Sequence, residues 1–238
     1  MPAKDEPADP AALARYLLSK IDGEQAKENG TAPKRFLVAL AGIPGSGKST
    51  FSSLLLSHLD AVNPSASPAI IVPQDGFHRT QAELSADPDP AFSFKRRGAP
   101  FTFDPAALLN LVRRIRTEPR LTAPAFSHAE KDPVDDAIVV EPHHRIIILE
   151  GSFLLLNQEP WASIAREVDE RWLYDVAEDV ALVRVIKRHV AAGLAEDETA
   201  AEAKALGNDV LNARLILENL VEPDKRLKEI EEVQKQAE

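Results

Sequence analysis

Lys48 and Ser49 close the run Gly42-Ile43-Pro44-Gly45-Ser46-Gly47-Lys48-Ser49-Thr50, which fits the pattern G-x-x-x-x-G-K-[ST]. The pattern suits a polyphosphate, whose crowded anionic oxygens can be met by inward-pointing backbone amides only where few side chains obstruct them. Gly42, Gly45 and Gly47 supply that clearance. A helix opening at Ser49 adds free N–H groups and the positive end of its dipole. Lys48 can reach the β- and γ-phosphates, and the Ser49 hydroxyl can ligate Mg²⁺. The expected ligand of residues 42–50 is therefore a nucleoside triphosphate with its metal.

Two carboxylates and a set of cations complete the candidate chemistry. Asp75 follows a short apolar run and precedes Gly76-Phe77-His78. It can take a proton from an attacking hydroxyl, orient that hydroxyl or hold a metal-bound water; an ordinary Asp-Gly turn is the plain alternative. Glu150 ends the strongly apolar Arg145–Leu149 and precedes Gly151, the place for an acid that holds Mg²⁺ or its water shell. Arg184, Lys187 and Arg188 stand at i, i+3 and i+4, on one helix face. Such a face repels itself unless an anion joins it, as in a lid that brings arginines to a migrating phosphoryl group; pairing with nearby glutamates is the alternative. Arg96 and Arg97, in Phe94-Lys95-Arg96-Arg97-Gly98, are candidates for an anionic substrate, and His128 and Asn208 for substrate contact.

These residues need elements to position them. Phe36–Ala41, Ala69–Val72 and Arg145–Leu149 read as buried strands, with a further strand around Arg171–Tyr174. Helices are expected at Ser49–Leu59, after the Asp104-Pro105 cap, near Trp161–Glu167 and at Val180–Val190. Alternating strands and helices imply a parallel sheet covered on both faces. In such a sheet ligands bind beyond the carboxyl ends of the strands, which places Asp75 and Glu150 beside the glycine loop. Asp9-Pro10 starts an N-terminal helix, and a polar linker reaches to residue 33. Thr80–Phe103 has no clear period and reads as a long ordered loop, Leu121–His128 as a short strand, and Asp224–Glu238 as an exposed charged helix. The domain expected is 34–222, with a lid at about 184–209, an N-terminal helix and linker at 1–33 and the charged helix at 223–238.

The 238 residues carry a formal charge of −10 and no cysteine. The acidic balance argues against a nucleic-acid partner, and the missing thiols rule out disulfides and thiolate metal sites. No run approaches the roughly 20 apolar residues of a spanning helix. The expectation is a cytoplasmic protein without a membrane partner.

With these residues in place, the chain resembles the phosphoribulokinase, uridine kinase and pantothenate kinase family, and in particular its bacterial and fungal branch of uridine-kinase-like or fructose-transport kinases. The resemblance spans roughly 36–224. It rests on the glycine loop, Asp75-Gly76-Phe77, the Arg96-Arg97-Gly98-x-Pro loop ending at Asp104, Phe126-Ser127-His128, Glu150-Gly151, Arg184-x-x-Lys187-Arg188-His189, and Asn208-Asp209 with Asn212. It implies a P-loop NTPase fold of the α/β class with a helical lid, and ATP-dependent transfer to a hydroxyl of a small metabolite. An aspartate matching Asp75 orients the acceptor in the pantothenate kinases, and a Tyr-Ser-His run resembling residues 126–128 touches substrate. The lid arginine corresponds to Arg184 or Arg188. Phenylalanine replaces the tyrosine here, and the Arg96-Arg97 loop departs from the uridine kinase form, so neither pantothenate nor uridine follows as the acceptor. The expected cofactors are ATP and Mg²⁺, and the expected partners a hydroxylated small molecule and a second copy of the chain. The rival reading is an ATP-dependent switch or adaptor; the N-K-x-D motif of a guanine switch is absent from the sequence.

Overall fold

A computed structural model of the chain describes residues 4–21 and 34–230. In chain order its strands are β1 (Lys4–Pro7), β2 (Phe36–Ala41), β3 (Ala69–Pro73), β4 (Leu121–Ser127), β5 (Asp132–Val140), β6 (Ile146–Glu150), β7 (Glu170–Asp175) and β8 (Lys225–Lys228). The helices are α1 (Pro10–Ile21), α2 (Lys48–Asp60), α3 (Gln81–Ser85), α4 (Pro90–Lys95), α5 (Pro105–Thr117), α6 (Trp161–Glu167), α7 (Glu178–Ala191), α8 (Glu198–Gly207) and α9 (Asp209–Glu218). Six strands form one parallel sheet in the order β1-β8-β7-β2-β6-β3, and β4 and β5 form a separate antiparallel pair.

Strand β2 reads as an unbroken apolar run because both of its faces are covered. Leu37, Ala39 and Ala41 join Ile147, Leu149 and residues of α5 and α6 in one core. Val38 and Leu40 point the other way, to Ile146, Ile148, Trp172, α1 and the Phe51, Leu55 and Leu59 stripe of α2. The central strand is thereby clamped from both sides. Its carboxyl end, where the glycine loop begins, is held in a fixed place.

The ends of the chain differ from expectation. Asp9 caps α1 as anticipated, its Oδ1 accepting from the Ala12 N–H at 3.0 Å, while the linker expected over residues 22–33 lies outside the described residues. Lys225–Lys228, however, is strand β8 rather than part of an exposed helix, and it pairs with β7 and β1. The charge alternation that suggested a solvated helix serves a sheet instead. Leu227 is buried between neighbours, and Lys225 and Lys228 pair with Glu6 and Asp175 at 2.9 and 2.7 Å. The sheet therefore takes in residues on both sides of 34–222; residues 231–238 fall outside the description.

Two further segments are more ordered than their sequences suggest. Thr80–Phe103 contains α3, closed by a capping box between Thr80 and Glu83, and α4, capped by Asp89. Strand β5, not anticipated, carries four exposed residues in a row, so no alternation announces it. Among the described residues no helix is long and apolar enough to cross a membrane.

Candidate active site

The glycine loop leaves β2 and enters α2 at Lys48, with Gly45 and Gly47 in left-handed conformations, φ +80 and +91. Gly45 is required twice over. Its φ disfavours a side chain, and a Cβ would stand 2.2 Å from the Ala181 carbonyl oxygen of α7. The loop is thus packed directly onto the helix that bears the basic face. Gly45, Gly47, Lys48, Ser49 and Thr50 share a cavity of about 360 Å³ with Arg184, Lys187 and Arg188. The Ser46 hydroxyl is buried with no hydrogen-bond partner among the described residues.

Glu150, at the tip of β6, lies beside the Lys48 and Ser49 that line this cavity. It registers with Leu40 on one side and Pro73 on the other, so it stands between the ends of β2 and β3. Gly151 must be glycine because a Cβ would collide with the buried Gln74 side chain, whose Oε1 accepts from the Phe153 N–H at 2.9 Å. Ser49 Oγ donates to Glu150 Oε1 at 3.1 Å, and Lys48 Nζ is 3.9 Å from the same oxygen. Burial pushes the Glu150 carboxyl up; Lys48 pulls it back, and the charge of Asp75 adds to the rise. Asp75, 75 residues away in sequence, is thus close enough to act on Glu150. Among the described residues no group of three or more His, Asp or Glu side chains could hold a metal ion by itself. One carboxylate and one hydroxyl nonetheless fit Mg²⁺, which commonly takes few protein ligands and completes its shell with phosphates and water.

Asp75 lies in a short 3₁₀ turn, Gln74–Phe77, directly after β3. The β4–β5 pair closes over that turn: a Cβ on Gly76 would stand 2.2 Å from the Pro124 carbonyl oxygen. His78 Nδ1 lies 2.8 Å from the Asp75 carbonyl, so it carries the proton. Its ring packs 4.0 Å from Phe103 and 4.8 Å from Phe126. Burial lowers the affinity of His78 for a second proton against the pull of Asp75, and Arg97 and His128 lower it further. Arg97 lies 5.6 Å over the Phe126 ring and pairs with Asp132 at 2.9 Å. Phe126 also meets His128 edge to face at 5.4 Å.

The sequence-based candidates therefore separate into three groups. Gly45, Gly47, Lys48, Ser49 and Thr50 line one cavity with the basic face of α7, Glu150 is bonded to Ser49 beside it, and Asp75 lies near Glu150. Arg97 and His128 gather around His78 and Phe126, beyond the turn that carries Asp75. Arg96 and Asn208 meet each other instead: Arg96 Nε donates to Asn208 Oδ1 at 3.0 Å. Within the basic face, Arg184 is held by Glu229 through two hydrogen bonds at 3.0 and 2.9 Å and is 10% exposed. Arg188 is 60% exposed and 3.7 Å from Asp209. Sequence reasoning missed His78, Asp132 and Glu229; no spacing links Glu229 to Arg184, whereas His78 stands only three residues after Asp75.

A parallel sheet carrying this loop at the end of its central strand defines a P-loop nucleotide-binding protein. No protein-family model matches the chain. It is 47% identical over 150 residues to the "ATP-dependent kinase-like protein notR'" of Aspergillus versicolor, covering 61% of this chain and 87% of that one. It is 40% identical over 201 residues to "Putative uridine kinase C227.14" of Schizosaccharomyces pombe, covering 83% and 84%. Among solved structures, a "putative fructose transport system kinase" from Silicibacter sp. TM1040 superposes with a TM-score of 0.78 at 33% identity, over 92% of this chain and 98% of that one. The chain belongs to the uridine-kinase-like branch of the phosphoribulokinase, uridine kinase and pantothenate kinase family of P-loop kinases.

Proposed function

We propose that the protein transfers the γ-phosphoryl group of ATP to a hydroxyl of a small metabolite. The observation that carries this reading is the placing of two acids at the carboxyl ends of adjacent strands: Glu150 registers with Pro73, Asp75 follows Pro73 by two residues, and Ser49 of the glycine loop bonds to Glu150. A nucleotide-binding module alone would need only the loop and Glu150.

Each residue then has a task. The amides of 42–50 and Lys48 bind and orient the β- and γ-phosphates, and Ser49 and Glu150 hold Mg²⁺. When bound, Mg²⁺ offsets phosphate charge. Asp75 accepts a hydrogen bond from the acceptor hydroxyl, aims its oxygen at phosphorus and takes up its proton as the bond forms. His78, with Nδ1 tied to the Asp75 carbonyl, fixes the turn that presents this carboxylate. His128, Arg97 and Phe126 bound the space in which the acceptor lies. Arg184, already bonded to Glu229 and to the Ser46 carbonyl, supports the loop. Arg188, the more exposed of the two, is the cation that meets the migrating phosphoryl group.

The test is ADP formation in the presence of Mg·ATP and pools of hydroxylated metabolites, followed by mass spectrometry of the products. Stimulation by one pool, with one component gaining a phosphoryl group, is the expected result. ADP formation indifferent to every pool but stimulated by a protein partner would instead identify an ATP-driven switch.

A further inference from the structure

The strongest unassigned feature is a polar clasp between the 96–104 loop and the lid helices. Asn212, in the first turn of α9, is 3% exposed. A buried carboxamide is tolerated only when both its ends are matched, and here they are. Its Oδ1 accepts from Arg96 Nη2 at 3.1 Å, and its Nδ2 donates to the Gly98 carbonyl at 3.1 Å. Asn208, one turn earlier, repeats the arrangement: Oδ1 accepts from Arg96 Nε at 3.0 Å, and Nδ2 donates to the Arg97 carbonyl at 3.0 Å. Two amides thus grip one guanidinium and two consecutive carbonyls. Gly98 presents its carbonyl from a left-handed conformation, φ +97.

Both ends of the clasp lead to functional groups. On the loop side, the Gly98 N–H donates to Thr102 Oγ1 at 2.9 Å, and the Thr102 carbonyl accepts from the Arg79 N–H at 2.9 Å. Phe103 bridges His78, which is bonded to Asp75. On the lid side, Asp209 directly follows Asn208 and lies 3.7 Å from Arg188 and 3.5 Å from His189 Nε2. Arg188 also faces the cavity that the glycine loop lines. It therefore has two competing anionic partners: Asp209 from the lid, and any phosphate held by the loop.

We propose that Asn208 and Asn212 are positioning residues that join the 96–104 loop to the lid helices, so that nucleotide bound at residues 42–50 orders the acceptor loop. The inference rests on the nucleotide-binding part of the function proposed above. Phosphate that draws Arg188 across the cavity moves α7 with its packed partners α8 and α9, and the clasp passes that displacement to Arg97 and Gly98. Without the two amides, the loop would keep its fold through Thr102 but lose the link to the lid.

The test is hydrogen exchange of the full chain with and without Mg²⁺ and the non-hydrolysable analogue AMP-PNP. In the unaltered protein the analogue slows exchange about tenfold at amides of 42–50 and also at 96–104. In Asn212→Ala the first effect persists and the second falls to within about twofold of no change. In Asn212→Asp, which keeps an acceptor for Arg96 but loses the donor to the Gly98 carbonyl, only part of the second effect returns; a purely structural role would loosen the loop equally with and without nucleotide. Arg96→Gln, altered at a half-exposed position, repeats the Asn212→Ala result should that variant fail to fold. Protection at 42–50 with none at 96–104 in the unaltered protein, or a full loop response in the variants, overturns the inference alone. Absence of protection at 42–50 sinks the nucleotide reading, and the inference with it.

Discussion

On the proposed function the crevice has a nucleotide side and an acceptor side, and the two are built in different ways. On the nucleotide side, the groups come from strand tips and one contiguous loop: residues 42–50 follow β2, and Glu150 ends β6. Their places are set by backbone register in a sheet covered on both faces. On the acceptor side, placement depends on side chains meeting across long stretches of sequence: Arg97 with Asp132, Arg96 with Asn208 and Asn212, and Gly76 with Pro124. On that reading, a sheet edge fixes what binds phosphate, while a layer of loops is free to vary what receives it.

The largest effect expected falls on the residue where the two sides meet. Asp75→Asn keeps the shape of the turn and removes the base, so kcat should fall by about 10³-fold or more while ATP affinity changes less than about twofold. Titration with ATP and a transfer assay on the same preparation separate the two. Equal loss of both would mean that Asp75 belongs to the nucleotide side.

Gly45→Ala strikes the nucleotide side through its backbone. With φ at +80 and the Ala181 carbonyl 2.2 Å from the new Cβ, it should cost about 2 kcal/mol or more of stability and displace the loop from α7. A melting temperature unchanged from the parent would contradict the packing described.

On the proposed function Arg184 and Arg188 divide the basic face between support and transfer. Arg184→Ala leaves the Glu229 carboxylate, 12% exposed, without its bidentate partner, so it should destabilise the fold by about 2 kcal/mol. Arg188→Ala should change stability by less than about 0.5 kcal/mol but slow transfer about 10²-fold. Chemical denaturation and turnover of both variants decide this, and a reversed pattern would exchange the roles.

The smallest effect lies outside both regions. His144 accepts the Glu141 N–H at its Nδ1, and burial, with the charges of His143 and Arg35 beside it, lowers its pKa from 6.5 to about 4. Its folded form therefore binds fewer protons than the unfolded form between these values. Stability is full above about pH 6.5 and falls as the pH drops toward about 4, by about 1 kcal/mol for this half-buried ring. His144→Gln should remove that part of the slope between pH 7 and 4.5 in urea melts; an unchanged slope would assign it elsewhere.

How much of this could be read from the sequence follows the same division. The glycine loop and the strand ending in Glu150-Gly151 were legible because their chemistry is contiguous and their strands are uninterrupted apolar runs. The helices of 80–103 left signals that a search for period passes over, the Thr80–Glu83 capping box and the Asp89-Pro90 start. Strand β8 was obscured because its charges are answered by Glu6 and Asp175, partners remote in sequence. The spacing of Asn208 and Asn212 placed them on one helix turn, yet their grip on Arg96 needed the fold. Glu229, which holds Arg184, had no sequence signal at all.

The convergence of Asp75 and Glu150 on the glycine loop is tested most directly with Mn²⁺ in place of Mg²⁺, together with AMP-PNP, in protein carrying ¹³C at its Asp and Glu carboxyl carbons. Paramagnetic broadening of both the Asp75 and the Glu150 carboxyl signals, with that of Glu118 left sharp, is the predicted result. Broadening at Glu150 with Asp75 untouched would contradict a shared transfer centre.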